Sequence, residues 1–159
     1  MTPIKLGNRV RDRITGFEGI AIVRCSVLIK QEFITIQPDL GVNGEYKDCA
    51  TIDEFRLEYV NDGLAHMAVP LDRCDIKICD PVIDHVTQVR GIVTGVMLNL
   101  SGCVHLIVES IYDEKTSEIC TITADHKRFK KLDGYKMRTG TEMLETRFSS
   151  RHGMEVPLA

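Results

Sequence analysis

Three arginines, Arg9, Arg11 and Arg13, alternate with Val10 and Asp12 in the stretch "NRVRDR". On a strand, that spacing sets all three guanidinium groups on one outward face, where they could hold a carboxylate or a phosphate, or form the charged edge that blocks strand pairing. The densest basic run is "HKRFKK", His126–Lys131. Its Lys127, Arg128, Lys130 and Lys131, with Phe129 between them, could touch RNA or form a solvated face. Asp12 and Asp84 each precede a threonine, Thr15 and Thr87, by three residues. A short carboxylate so placed accepts backbone N–H groups and fixes a turn.

Other candidate groupings lack partners for catalysis. Cys103 and His105 share one face of a strand, but a nucleophile pair also needs an oxyanion donor and an orienting group. Asp84-His85 stands where Asp12-Arg13 stands in the first half, so only one copy has it. There is no G-x-S-x-G, no H-E-x-x-H and no P-loop, and "GFEGIA" lacks the third glycine of a dinucleotide fingerprint. The six cysteines include no C-x-x-C pair. They read as small apolar strand residues, mostly buried, and neither a metal nor a cofactor is expected.

The elements that carry these residues repeat. Shifting the chain by 72 positions lays Val10 on Val82, Asp12 on Asp84, Ile14 on Val86, Thr15 on Thr87, Gly19 on Gly91 and Asp53 on Asp125. "EFITIQ" matches "CVHLIVE" after a one-residue slip. Val10, Asp12 and Ile14 read as a short strand ended by Thr15-Gly16, where glycine supplies a positive φ. Gly19 opens a run, Ile20-Ala21-Ile22-Val23, that reads as buried on both faces and permits a bend or close backbone approach. Ile34 and Ile36 face one side of an alternating strand stopped by Pro38. The second half reads as a hairpin turning at Asp113–Ser117. "TIDEFRLEYV" is open to a helix with a Thr51/Glu54 capping box or to a strand through Phe55, Leu57 and Tyr59. The favoured reading is the strand, or one helical turn followed by a strand.

The expected fold is therefore all-β: two tandem small barrels, 1–60 and 78–133. An apolar linker, 61–77, would lie along their interface. Residues 134–159 lack periodicity and read as an extended C-terminal arm, with Tyr135, Met143, Leu144, Phe148 and Arg151 as partner contacts. The chain has 159 residues, 43% apolar and 27% charged, with a net charge of −3. That balance suits a globular protein and argues against a general nucleic-acid binder. No apolar run spans a membrane, and the first residues lack the apolar core of a signal peptide. Synthesis in the cytoplasm is expected.

The stretch "LGNRVRDRITGFEGIAIVRC", Leu6–Cys25, resembles a family of short domains common in tailed-bacteriophage genomes. An LGD-type turn there precedes a V-x-D-x-x-T-G-F-x-G-I-A core. Val10, Asp12, Thr15, Gly16, Phe17, Gly19, Ile20 and Ala21 fit that core, and Asn8 replaces the acidic turn residue. The likeness extends over the first unit to about Val60. The second unit has Gln88-Val89-Arg90 in place of Gly16-Phe17-Glu18. The resemblance implies a phage origin, a KOW-like barrel of Src-homology type and no catalysis. The resulting expectation is a non-enzymatic virion structural protein, associated with capsid, portal, collar or tail. It would dock on other virion proteins, with self-association as a homo-oligomer also open, through loops that include Phe17 and Glu18 and through the arm. The alternative is a phage-encoded intracellular protein that sequesters a nucleotide or binds host RNA or polymerase through Arg9, Arg11, Arg13 or Lys127–Lys131.

Overall fold

The computed structural model describes residues 3–111 and 119–132. Among them the fold is all-β. Ten strands form one antiparallel sheet, and the helical pieces are three single 3-10 turns. The expected turn at Asp113–Ser117 and the arm from 134 onward lie outside the described residues.

The first half holds β1 (Arg9–Asp12), β2 (Glu18–Val27), β3 (Glu32–Gln37), β4 (Ala50–Asp53) and β5 (Leu57–Asn61). Their pairing order is β5-β1-β2-β3-β4. The second half holds β6 (Pro81–Asp84), β7 (Arg90–Asn99), β8 (Val104–Ser110), β9 (Thr121–Asp125) and β10 (Phe129–Lys131). Their order is β10-β6-β7-β8-β9. Each half has its own apolar core. Val10, Ala21, Ile34, Ile36 and Leu57 fill the first. Val82, Val93, Leu106, Val108 and Phe129 fill the second.

Each pair of corresponding core residues, Val10 and Val82 for example, is 72 positions apart. So are the bulges, between Ala21 and Val23 in β2 and between Val93 and Gly95 in β7. Ile34 and Ile36 correspond to Leu106 and Val108 with no slip, so the one-residue offset expected there is not needed. It came from aligning Cys103, which precedes β8, with a strand residue. Gly19 and Gly91 also correspond. A side chain at either would run into the carbonyl of Gln37 or of Glu109, so close approach of the neighbouring strand requires glycine.

Several expectations change. Ile14 lies beyond β1, in the turn, and is 73% exposed. In the run after Gly19 only Ile20 and Ala21 are buried, and Ile22 and Val23 are half-buried. The segment "TIDEFRLEYV" is strand, one 3-10 turn (Glu54–Arg56), then strand. Thr51 is not its cap. It lies in β4 and shares a hydroxyl hydrogen bond of 2.9 Å with Thr35. No cysteine is fully buried: Cys49, Cys79 and Cys120 are exposed and the other three are half-buried. Cys49, Cys79, Cys103 and Cys120 fall outside the strands, where the core does not reach them.

The two halves meet along β2 and β7, whose distal parts pair from Val23↔Asn99 to Val27↔Gly95. The linker is bonded to both: Leu64 N–H donates to Gly7 O at 2.7 Å, and Asp72 N–H donates to Gly102 O at 2.9 Å. Its Met67, Val69 and Leu71 side chains are exposed, however. The backbone, rather than these side chains, fastens it.

Candidate functional site

The most elaborate side-chain grouping forms at the β1–β2 turn. Asp12 ends β1 and is fully buried. Its carboxylate accepts the Ile14 amide at 3.2 Å and the Thr15 hydroxyl at 2.6 Å. Arg56, at the end of the 3-10 turn, closes the group with two bonds, Nε to Oδ1 at 3.2 Å and Nη2 to Oδ2 at 2.5 Å. Backbone bonds finish the turn: Gly16 N–H donates to Asp12 O, and Arg13 N–H donates to Arg56 O.

The same grouping recurs around Asp84, also fully buried. It accepts the Val86 amide at 3.1 Å, the Thr87 hydroxyl at 2.7 Å, and Arg128 Nε and Nη2 at 3.2 and 2.5 Å. At the left-handed position of the turn Gln88, with φ of 61°, replaces Gly16, with φ of 75°. The Arg56 guanidinium, then the Thr15 hydroxyl, hold the Asp12 carboxyl far below the usual carboxylate range. Arg128 does the same for Asp84, against the opposing effect of burial. A carboxylate so held is a poor proton acceptor at neutral pH. The arrangement is a clamp.

Beside the first clamp lies an open depression of about 520 Å³, lined by Asp12, Thr15, Gly16, Phe17, Ala50, Ile52 and Arg56. Phe17 packs partly against the first core. Nearby in the chain, Ile14 in the turn and Phe55 in the 3-10 turn are 73% and 76% exposed. The second half has Val89 and Lys127 where Phe17 and Phe55 stand, so its corresponding surface is less aromatic.

The basic residues expected to bind a ligand mostly meet carboxylates of this chain. Arg9 grips Asp39 with two bonds, at 2.9 and 2.8 Å, and reaches Glu18 at 3.4 Å. Arg11 pairs with Glu18 at 2.8 Å and with Glu58 at 3.6 Å. These arginines lower the Glu18 and Asp39 pKa values. Arg13 is exposed beyond the end of β1. Lys127 pairs with Asp72 at 2.7 Å, Lys131 with Asp80 at 2.6 Å, and Arg128 belongs to the clamp. Lys130 is exposed. Tyr135, Met143, Leu144, Phe148 and Arg151 lie outside the described residues.

Compared with known proteins, the chain matches no family model, no curated protein and no solved structure.

Two groups were missed in the sequence. Arg56 was not singled out, although the 72-residue shift lays it on Arg128 and so pairs both aspartates with an arginine. Arg24 was also passed over. It pairs with Glu32, makes bonds of 2.9 and 2.8 Å to Glu54, and donates to the Ile4 carbonyl at 2.6 Å. Its counterpart is Val96, so no repeat could flag it. Among the described residues no three His, Cys, Asp or Glu side chains are arranged to hold a metal ion. No helix among them is long and apolar enough to cross a membrane.

Proposed function

We propose that this chain is a non-enzymatic structural protein of a tailed-bacteriophage particle, built from one small five-stranded barrel module used twice. The 72-residue recurrence of pairing order, bulges, close-approach glycines and Asp–Thr–Arg clamps supports the duplication. The likeness of Leu6–Cys25 to short phage domains supports the setting.

The observation that carries the functional reading is how the charged side chains are used. Asp12 and Asp84 are locked by arginine, and Arg9, Arg11, Lys127 and Lys131 face carboxylates of the same chain. Much of the charge is committed to holding loops and turns, and the surface beside the first clamp is largely apolar: the depression at Phe17, with Ile14 and Phe55 exposed on neighbouring stretches of chain. Such a surface suits docking on a larger protein lattice better than gripping phosphate. The same pairing weighs against sequestering a nucleotide or binding RNA. In this reading the loops and residues 134–159 reach neighbouring virion proteins.

A tagged chain supplied during infection should co-sediment with intact particles, and should remain soluble when cut after Leu132. A tagged full-length chain that never sediments with particles contradicts the proposal.

A further inference from the structure

Because β2 pairs with β7, six strands run side by side in the order β4-β3-β2-β7-β8-β9. Both cores lie on one face, which carries Ile34, Ile52, Leu106 and Ala124. The opposite face carries one continuous row: Asp53, Phe33, Cys25, Met97, His105, Asp125. The row is palindromic under the 72-residue shift, with Cys25 and Met97 opposite each other at its centre. Val23 and Val27 on β2, and Ile107 on β8, widen it. These apolar residues are all half-buried, and none belongs to either core. The row runs about 24 Å from carboxylate to carboxylate, and its apolar middle, from Phe33 to Ile107, covers about 14 Å.

We propose that this face seats the chain's own C-terminal segment, residues 133–159, before that segment engages any partner. The inference goes beyond the virion reading and stands without it.

Reach favours this occupant. Leu132 is tied to the start of β6, its N–H donating to Pro81 O at 2.9 Å, and Pro81 pairs with Ile92. From Ile92 to Met97 is about 17 Å along β7. The 27 residues after Leu132 can extend to about 90 Å. A tether this short gives an effective concentration in the millimolar range, which favours the chain's own segment over a neighbour's.

Area agrees. In the segment Lys136, Arg138, Arg147 and Arg151 are balanced by Asp133, Glu142, Glu145 and Glu155, so it is neutral overall, and Met143, Leu144 and Phe148 are what an apolar face would take. A second copy stacked on the same face would bury only roughly 700 Å² in total, less than a stable dimer interface needs. A single segment needs no more than this.

Trypsin tests it, because it cuts after Arg147. In the full chain that cut should be at least about tenfold slower than in the free peptide 133–159. Met97→Asp and Phe33→Asp, both on the sheet's outer face, should each restore the free-peptide rate while leaving the far-ultraviolet circular dichroism unchanged. The proposal is overturned by free-peptide cleavage in the unaltered chain, by protection that survives both folded variants, or by protection that fades on dilution, which would assign the seat to a second copy's segment.

Discussion

Asp12 and Arg56 stand 44 residues apart and meet in a two-point ion pair whose carboxylate is fully buried. Asp84 and Arg128 repeat the contact at the same separation. Each pair ties the first turn of its half to the 3-10 turn before its last strand, so it joins the two ends of a five-stranded unit. Neutralising the aspartate removes the charged acceptor that gathers the turn, while the arginine left behind keeps access to water. Asp12→Asn and Asp84→Asn should each lower Tm by roughly 4–8 °C, read by thermal circular dichroism. Equal stability of either variant and the unaltered chain would show that the clamps are ornamental.

The clamps also set the response to acid. Both carboxyls have a folded-state pKa held below the unfolded value. Their contribution is complete above the unfolded carboxylate range, near about pH 4, and drains away as pH falls towards the depressed folded values. Denaturant midpoints should be level from about pH 8 to about pH 5 and fall steeply below about pH 4. The Asp12→Asn variant should fall less steeply over the acid range. A fall of equal slope in both proteins would place the acid sensitivity elsewhere.

Two glycines test the backbone reading separately from charge. Gly16 has open space around a Cβ but a left-handed φ of 75°. Gly16→Ala should therefore cost about 1 kcal/mol from backbone conformation alone. Gly91 has no room, because a Cβ would meet the Glu109 carbonyl. Gly91→Ala should cost about 2–3 kcal/mol by overpacking. Urea titrations of both variants give the two values and their order.

Ile14 and Phe55 are mostly exposed, so replacing both by serine should change stability by no more than about 0.5 kcal/mol. The same double variant should lose incorporation into particles, measured by competition with the unaltered chain during infection. Unimpaired incorporation would move the docking surface away from the depression beside Phe17.

The short strands, the turn at Gly16 and the role of Gly19 were legible in the sequence because each has a local signature, while "TIDEFRLEYV" carries strand and helix signals together. The outward arginines were legible too, but their partners were not. Asp39, Glu18 and Glu58 reach Arg9 and Arg11 from three different segments, and only the assembled sheet brings them together. The pairing of β2 with β7 was equally hidden, since periodicity identifies a strand's faces but not its neighbour. Cysteines misled for a simpler reason. Their average preference for burial says nothing about a residue such as Cys120, placed just before a strand begins.

Quantitative mass spectrometry of purified virions tests the central claim most directly. Peptides of this chain should appear at a fixed number of copies per particle, comparable to other minor structural proteins. Virions free of the chain, from infected cells in which it is abundant, would contradict a structural role.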